Sequence, residues 1–182
     1  MRSCRKTHSG KRFAGQFLRF PSRVNFGRNA SESLEKVSWK SIGAEQMTSI
    51  QCRCGAVEVE ITAEPIVQFY CHCDDCQAVH GGAYAPESVY PAAAVKVVRG
   101  DPMSWKLKRN PRVTCRECGT RLFIDVEAQR LRGVNGFLLP PGEFRPAFHM
   151  HCRFAVRPVI DDLPHYKGMP KRFGGSDETV GW

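Results

Sequence analysis

Seven of the nine cysteines stand in three tight clusters, Cys52-x-Cys54, Cys71-x-Cys73-x-x-Cys76 and Cys115-x-x-Cys118. Thiols one or two residues apart are badly placed for disulfides between segments, and clustered thiolates read as metal ligands. The first and third clusters both end in Cys-Gly, at Gly55 and Gly119. A hairpin that wraps two sulfurs around an ion must turn sharply, often at positive φ, and glycine permits that turn. Two such hooks make one four-thiolate site on Cys52, Cys54, Cys115 and Cys118, the closed tetrahedral sphere that zinc favours. Its role would be structural, tying an early strand to the middle of the domain.

The middle cluster offers three thiolates within six residues, Cys71, Cys73 and Cys76. Three protein ligands and one open position are the usual composition of a catalytic zinc centre. An open position can take the sulfur of an incoming thiol and lower its pKa, so the implied substrate is a thiol. Three other readings compete. A Cys73/Cys76 redox pair would need a thioredoxin-like βαβ context that the chain lacks. Iron–sulfur ligation would need spacings that are not present. A second closed structural zinc would need His72 or His80 to complete it. Strand alternation turns His72 away from the ion that Cys71 and Cys73 would hold. His149 and His151, two apart on an expected late strand, could also close the sphere. Cys4 and Cys152 are bystander thiols, with Cys152 expected as a small buried residue in a strand.

The elements that must position these thiols are short. Val57, Val59 and Ile61 alternate with Glu58 and Glu60, which predicts a half-buried strand. Further strands are expected at 66–70, 95–98, 103–108, 122–126 and 148–156, with a turn or two of helix just after Cys73. Frequent prolines, Pro86 and Pro111 among them, are expected to keep the strands short. The fold class is therefore all-β, two small packed sheets with cysteine hooks.

Charge divides the chain near residue 46. Residues 1–46 hold ten Lys/Arg against Glu32, Glu35 and Glu45, a net +7 of the total +9, leaving +2 for the rest. A compact domain at +2 lacks the basic face that nucleic-acid binding requires. Residues 1–46 are expected as a disordered basic extension, 47–175 as the zinc-binding domain and 176–182 as a tail. The Arg-rich, Ser-containing start also has the composition of an organelle transit peptide. No run is apolar enough to span a membrane, and reduced, clustered thiols fit the cytoplasm.

The ordered set Cys52-x-Cys54-Gly55-Ala56-Val57, Cys71-His72-Cys73-x-x-Cys76, Gly81-Gly82-Ala83-Tyr84-Ala85 and Cys115-x-x-Cys118-Gly119-Thr120 resembles the glutathione-dependent formaldehyde-activating enzyme family. That family includes centromere protein V-like members. The closing Asp161-Asp162-Leu163-Pro164-His165-Tyr166 stretch is similar as well. The resemblance implies a β-tent and two zinc ions per chain, structural on Cys52, Cys54, Cys115 and Cys118 and catalytic on Cys71, Cys73 and Cys76. It also implies a carbon–sulfur lyase joining glutathione and formaldehyde as S-hydroxymethylglutathione. His72 and His80 are candidate acids, and Arg112, Arg121 and Arg132 could meet glutathione's carboxylates. A non-catalytic zinc-stabilised binding module is the alternative.

Overall fold

The computed structural model describes residues 47–182. The expected basic extension and Cys4 lie outside the described residues. Ten strands and one helix follow in order: β1 (Thr48–Gln51), β2 (Glu58–Ile61), β3 (Val67–Cys71), α1 (Asp74–His80), β4 (Ala85–Pro91), β5 (Val95–Arg99), β6 (Met103–Leu107), β7 (Asn110–Thr114), β8 (Arg121–Val126), β9 (Leu131–Asn135) and β10 (His149–Met150). They form a three-stranded sheet, β1-β2-β5, and a seven-stranded sheet, β10-β3-β4-β9-β8-β7-β6.

The alternation in β2 does what a period of two should. Val57, Val59 and Ile61 are buried while Glu58 and Glu60 remain partly wet. Ile50, Val59 and Val95 of the small sheet share one core with Val113, Leu122 and Val134 of the large one. Each such side chain contributes about 1.5–3 kcal/mol by leaving water. β5 is less regular than its apolar run suggested: Val95 is buried, but Val97 and Val98 face solvent.

Two expectations need correction. Pro86 and Pro111 lie inside strands β4 and β7 instead of breaking them. The β4–β9 pairing begins at Glu87↔Asn135 and the β7–β8 pairing at Arg112↔Ile124. Each proline therefore sits one residue outside one of its two ladders, where a missing N–H costs no sheet bond. The late strand expected over 148–156 shrinks to His149–Met150, which pairs parallel, not antiparallel, with Tyr70–Cys71. His151 takes a left-handed backbone conformation (φ 59°) and a 3-10 turn, Cys152–Phe154, follows it. Cys152 is buried, but in that turn and not in a strand.

Residues beyond 175 are tied to the domain. Lys167 N–H donates to Glu178 O at 2.7 Å and Val180 N–H to His165 O at 2.9 Å.

Candidate metal centres

The two Cys-Gly hooks fold alike. Cys52 N–H donates to Val57 O and Cys115 N–H to Thr120 O, both at 3.0 Å, and each loop turns through a left-handed glycine, Gly55 (φ 74°) and Gly119 (φ 69°). The loops bring Cys52, Cys54, Cys115 and Cys118 together with all ligand atoms within 4.8 Å of one another. Cys52 Sγ is 3.5 Å from Cys54 Sγ, which is 3.7 Å from Cys115 Sγ. A tetrahedron with metal–sulfur bonds of ~2.3 Å has sulfur–sulfur edges of about 3.8 Å, so these spacings fit zinc and are far too long for a disulfide. Val57 N–H points at Cys52 Sγ (3.2 Å), and the Thr120 hydroxyl beside Cys118 holds that thiol down at about 6. Both contacts favour thiolates, the form that binds metal.

Gly100 supports the first hook from outside. It has φ 87°, and a Cβ there would strike Ala56 O and come within 3.0 Å of Val57 Cα. The chain can pass this close only without a side chain.

The second cluster is assembled by the end of β3 and the start of α1. Cys71 closes the strand and is buried, Cys73 caps α1 by accepting the Cys76 N–H at 3.4 Å, and Cys76 occupies the first turn. Their three sulfurs lie within 4.8 Å of one another. Gly81, left-handed at φ 62°, ends the helix after seven residues. Hydrogen bonds from the neighbouring Cys71 and Cys76 thiols hold Cys73 down at about 2, while the same contacts push Cys71 up. The donor set fits a thiophilic ion, with three sulfurs where the first centre has four.

Of the histidines singled out from the sequence, His72 is buried and its Nε2 lies 2.9 Å from His149 Nδ1. Its ring is not among the three-sulfur donors. Burial, with His149 adding to it, pushes His72 down to about 4. His80 closes α1 with Nε2 buried and unpartnered, and burial reinforced by Arg121 and Arg112 pushes it down to about 3. His149 and His151 do not share a strand face, because the left-handed turn at His151 ends the alternation. His151 lies in electrostatic range of Cys73, with Nδ1 buried and unpartnered and its pKa lowered by burial. Sequence spacing gave no sign of that proximity.

The three arginines suggested for substrate carboxylates have internal partners. Arg121 is buried against Glu87 at 2.9 Å, Arg112 donates to Leu107 O and Asn110 O, and Arg132 bridges Asp125 and Val95 O. The buried Glu87 was not singled out from sequence. Burial raises its pKa against the pull of Arg121, and its electrostatic range includes Cys76.

A mostly β domain that gathers four cysteines at one place and three at another, each group able to hold a metal ion, marks out the class of protein. The profile of the glutathione-dependent formaldehyde-activating enzyme family matches residues 47–153, and the chain belongs to that family. A crystal structure of a Rhodobacter sphaeroides protein is similar, at 24% identity, covering 51% of this chain and 88% of that one, with a TM-score of 0.44. No curated protein matches. Among the described residues no helix is long and apolar enough to cross a membrane.

Proposed function

We propose that the protein is a zinc-dependent carbon–sulfur lyase that forms or cleaves a glutathione–aldehyde adduct, with formaldehyde as the reference aldehyde and the cytoplasm as its compartment. The observation that carries this reading is the inequality of the two centres, four sulfurs in one and three in the other, within a chain of this family. Cys52, Cys54, Cys115 and Cys118 would hold a structural zinc, and Cys71, Cys73 and Cys76 a catalytic one. Zinc bound by the trio would supply Lewis acidity that lowers the pKa of a thiol brought to it.

In the synthetic direction the thiol S–H bond breaks, a sulfur–carbon bond forms, and the carbonyl π pair moves to oxygen, which takes up the proton. No redox partner is needed. His151 is the side chain proposed to carry that proton. Its buried, unpartnered Nδ1 near Cys73 supports the role, and its lowered pKa leaves the ring neutral and free to accept. His72, fixed through His149, is proposed as a positioning residue for the Cys71–Cys73 backbone. Burial of Cys71, and of Glu87 and Arg121 nearby, keeps bulk water from the inner side of the trio.

The test follows adduct formation from glutathione and formaldehyde with zinc-loaded full-length protein. Acceleration is expected for the wild type, with loss of at least a hundredfold in Cys76→Ser and tenfold or more in His151→Gln. A protein carrying two zincs that accelerates neither formaldehyde nor other small aldehydes refutes the proposal and favours a binding module.

A further inference from the structure

A second group of ligating side chains converges beyond His72. His149 on β10, Asp161 and His165 each offer one donor atom, and the three atoms lie within 4.8 Å of one another. His149 Nε2 is 2.9 Å from Asp161 Oδ2, and His165 Nε2 is 3.3 Å from Asp161 Oδ1. Backbone pairing sets this up. His149 N–H donates to Pro164 O at 2.8 Å and Tyr166 N–H returns to His149 O at 2.9 Å, so positions 149 and 165 run side by side. Their rings stack at 4.6 Å with a 22° tilt. Asp161 is held in place by the Leu163 N–H, which donates to its Oδ1 at 3.0 Å.

A hydrogen-bonded clasp explains part of this arrangement. His149 Nε2–H can donate to Asp161 Oδ2, yet His165 Nε2 is buried near Oδ1 without hydrogen-bond geometry and has no other partner. A buried polar nitrogen left unsatisfied is costly and calls for an explanation. A cation shared by both Nε2 lone pairs and a carboxylate oxygen supplies one. His149 would then donate through Nδ1 to His72 Nε2, 2.9 Å away, the outer hydrogen bond that metal-ligating imidazoles usually make. Tyr70 packs 4.8 Å from the His149 ring and Trp182 4.8 Å from the His165 ring, giving the group aromatic walls.

The geometry points to a third metal site on His149, Asp161 and His165, suited to a divalent first-row transition ion such as zinc or iron(II). Two imidazoles and one carboxylate, with no sulfur, separate it chemically from both cysteine centres. The site stands independently of the lyase reading.

Full-length protein dialysed until it holds two zincs per chain, with the cysteine centres filled, is titrated with Co2+, following bound metal and absorbance. One further equivalent is expected, with visible d–d bands and no sulfur-to-cobalt charge transfer. Asp161→Asn and His165→Gln should each weaken that equivalent at least tenfold while keeping two zincs and an unchanged circular-dichroism spectrum. Asp161 is about a third exposed (34%), which makes it the safer variant for folding. An absent third equivalent, one that carries a charge-transfer band, or one that both variants retain overturns the proposal. A failed lyase assay leaves this readout untouched.

Discussion

Replacing Gly100 by alanine and comparing it with Gly119→Ala isolates the support given to the four-sulfur centre. Both glycines are left-handed, at φ 87° and 69°, so both substitutions incur the strain of an L-residue there, about 1–2 kcal/mol. They differ in space. A Cβ on Gly119 meets nothing within 4 Å, whereas one on Gly100 collides with Ala56 O and crowds Val57 Cα and Cγ2 at 3.0 Å. Backbone cannot rotate away as a flexible side chain can, so Gly100→Ala adds an overpacking cost of about 1–3 kcal/mol. The totals are about 1–2 kcal/mol for Gly119→Ala and about 2–5 kcal/mol for Gly100→Ala. For a domain of this size the difference corresponds to a melting temperature lower by roughly 3–15 °C. Relief of the clash must move Ala56 and Val57, whose N–H reaches Cys52 Sγ, so the metal is perturbed too. Urea unfolding gives the stability difference, and zinc release to a chromophoric chelator gives the metal effect. Gly100→Ala should release its less labile zinc at least several-fold faster than Gly119→Ala. Equal stabilities within 0.5 kcal/mol, or equal release rates, would refute the close approach.

Other outcomes follow from the same contacts. Cys115→Ser, which removes a buried ligand of the four-sulfur centre, should leave the chain insoluble or unfolded at 37 °C, measured as loss of a cooperative thermal transition. Exhaustive chelation of the wild type should have the same effect, reversed by adding Zn2+. Leu122, fully buried between the sheets, should lose about 2–5 kcal/mol on truncation to alanine, read from urea midpoints at constant slope.

Much of this molecule is written locally. Cys-x-Cys-Gly and Cys-x-x-Cys-Gly specify their own loops, because the ligand spacing and the left-handed glycine are both local requirements, and β2 announces itself by alternation. β4 does not: Ala85, Pro86, Glu87 and Ser88 are all buried, since the strand is covered on both faces and so shows no period. The polar members find partners far along the chain, Glu87 Oε1 in Arg121 and Ser88 in Gln68. The same holds for His151 near Cys73 and for Asp161 and His165 at His149. The first encounter depends on the parallel β3–β10 pairing, which joins segments about eighty residues apart, and the second on the bridge between His149 and His165; neither pairing leaves a mark on the segments it joins.

The Cys71-His72-Cys73 stretch serves two tenants from one piece of backbone. Its sulfurs belong to the thiol trio and its imidazole to the histidine group, while the peptide between them is anchored by the His72 N–H to Met150 O at 3.0 Å. A lateral shift demanded by either side is transmitted to the other without any moving part. Substitutions at His149 should therefore be felt at the trio through this shared peptide, as a changed affinity of its three sulfurs for metal.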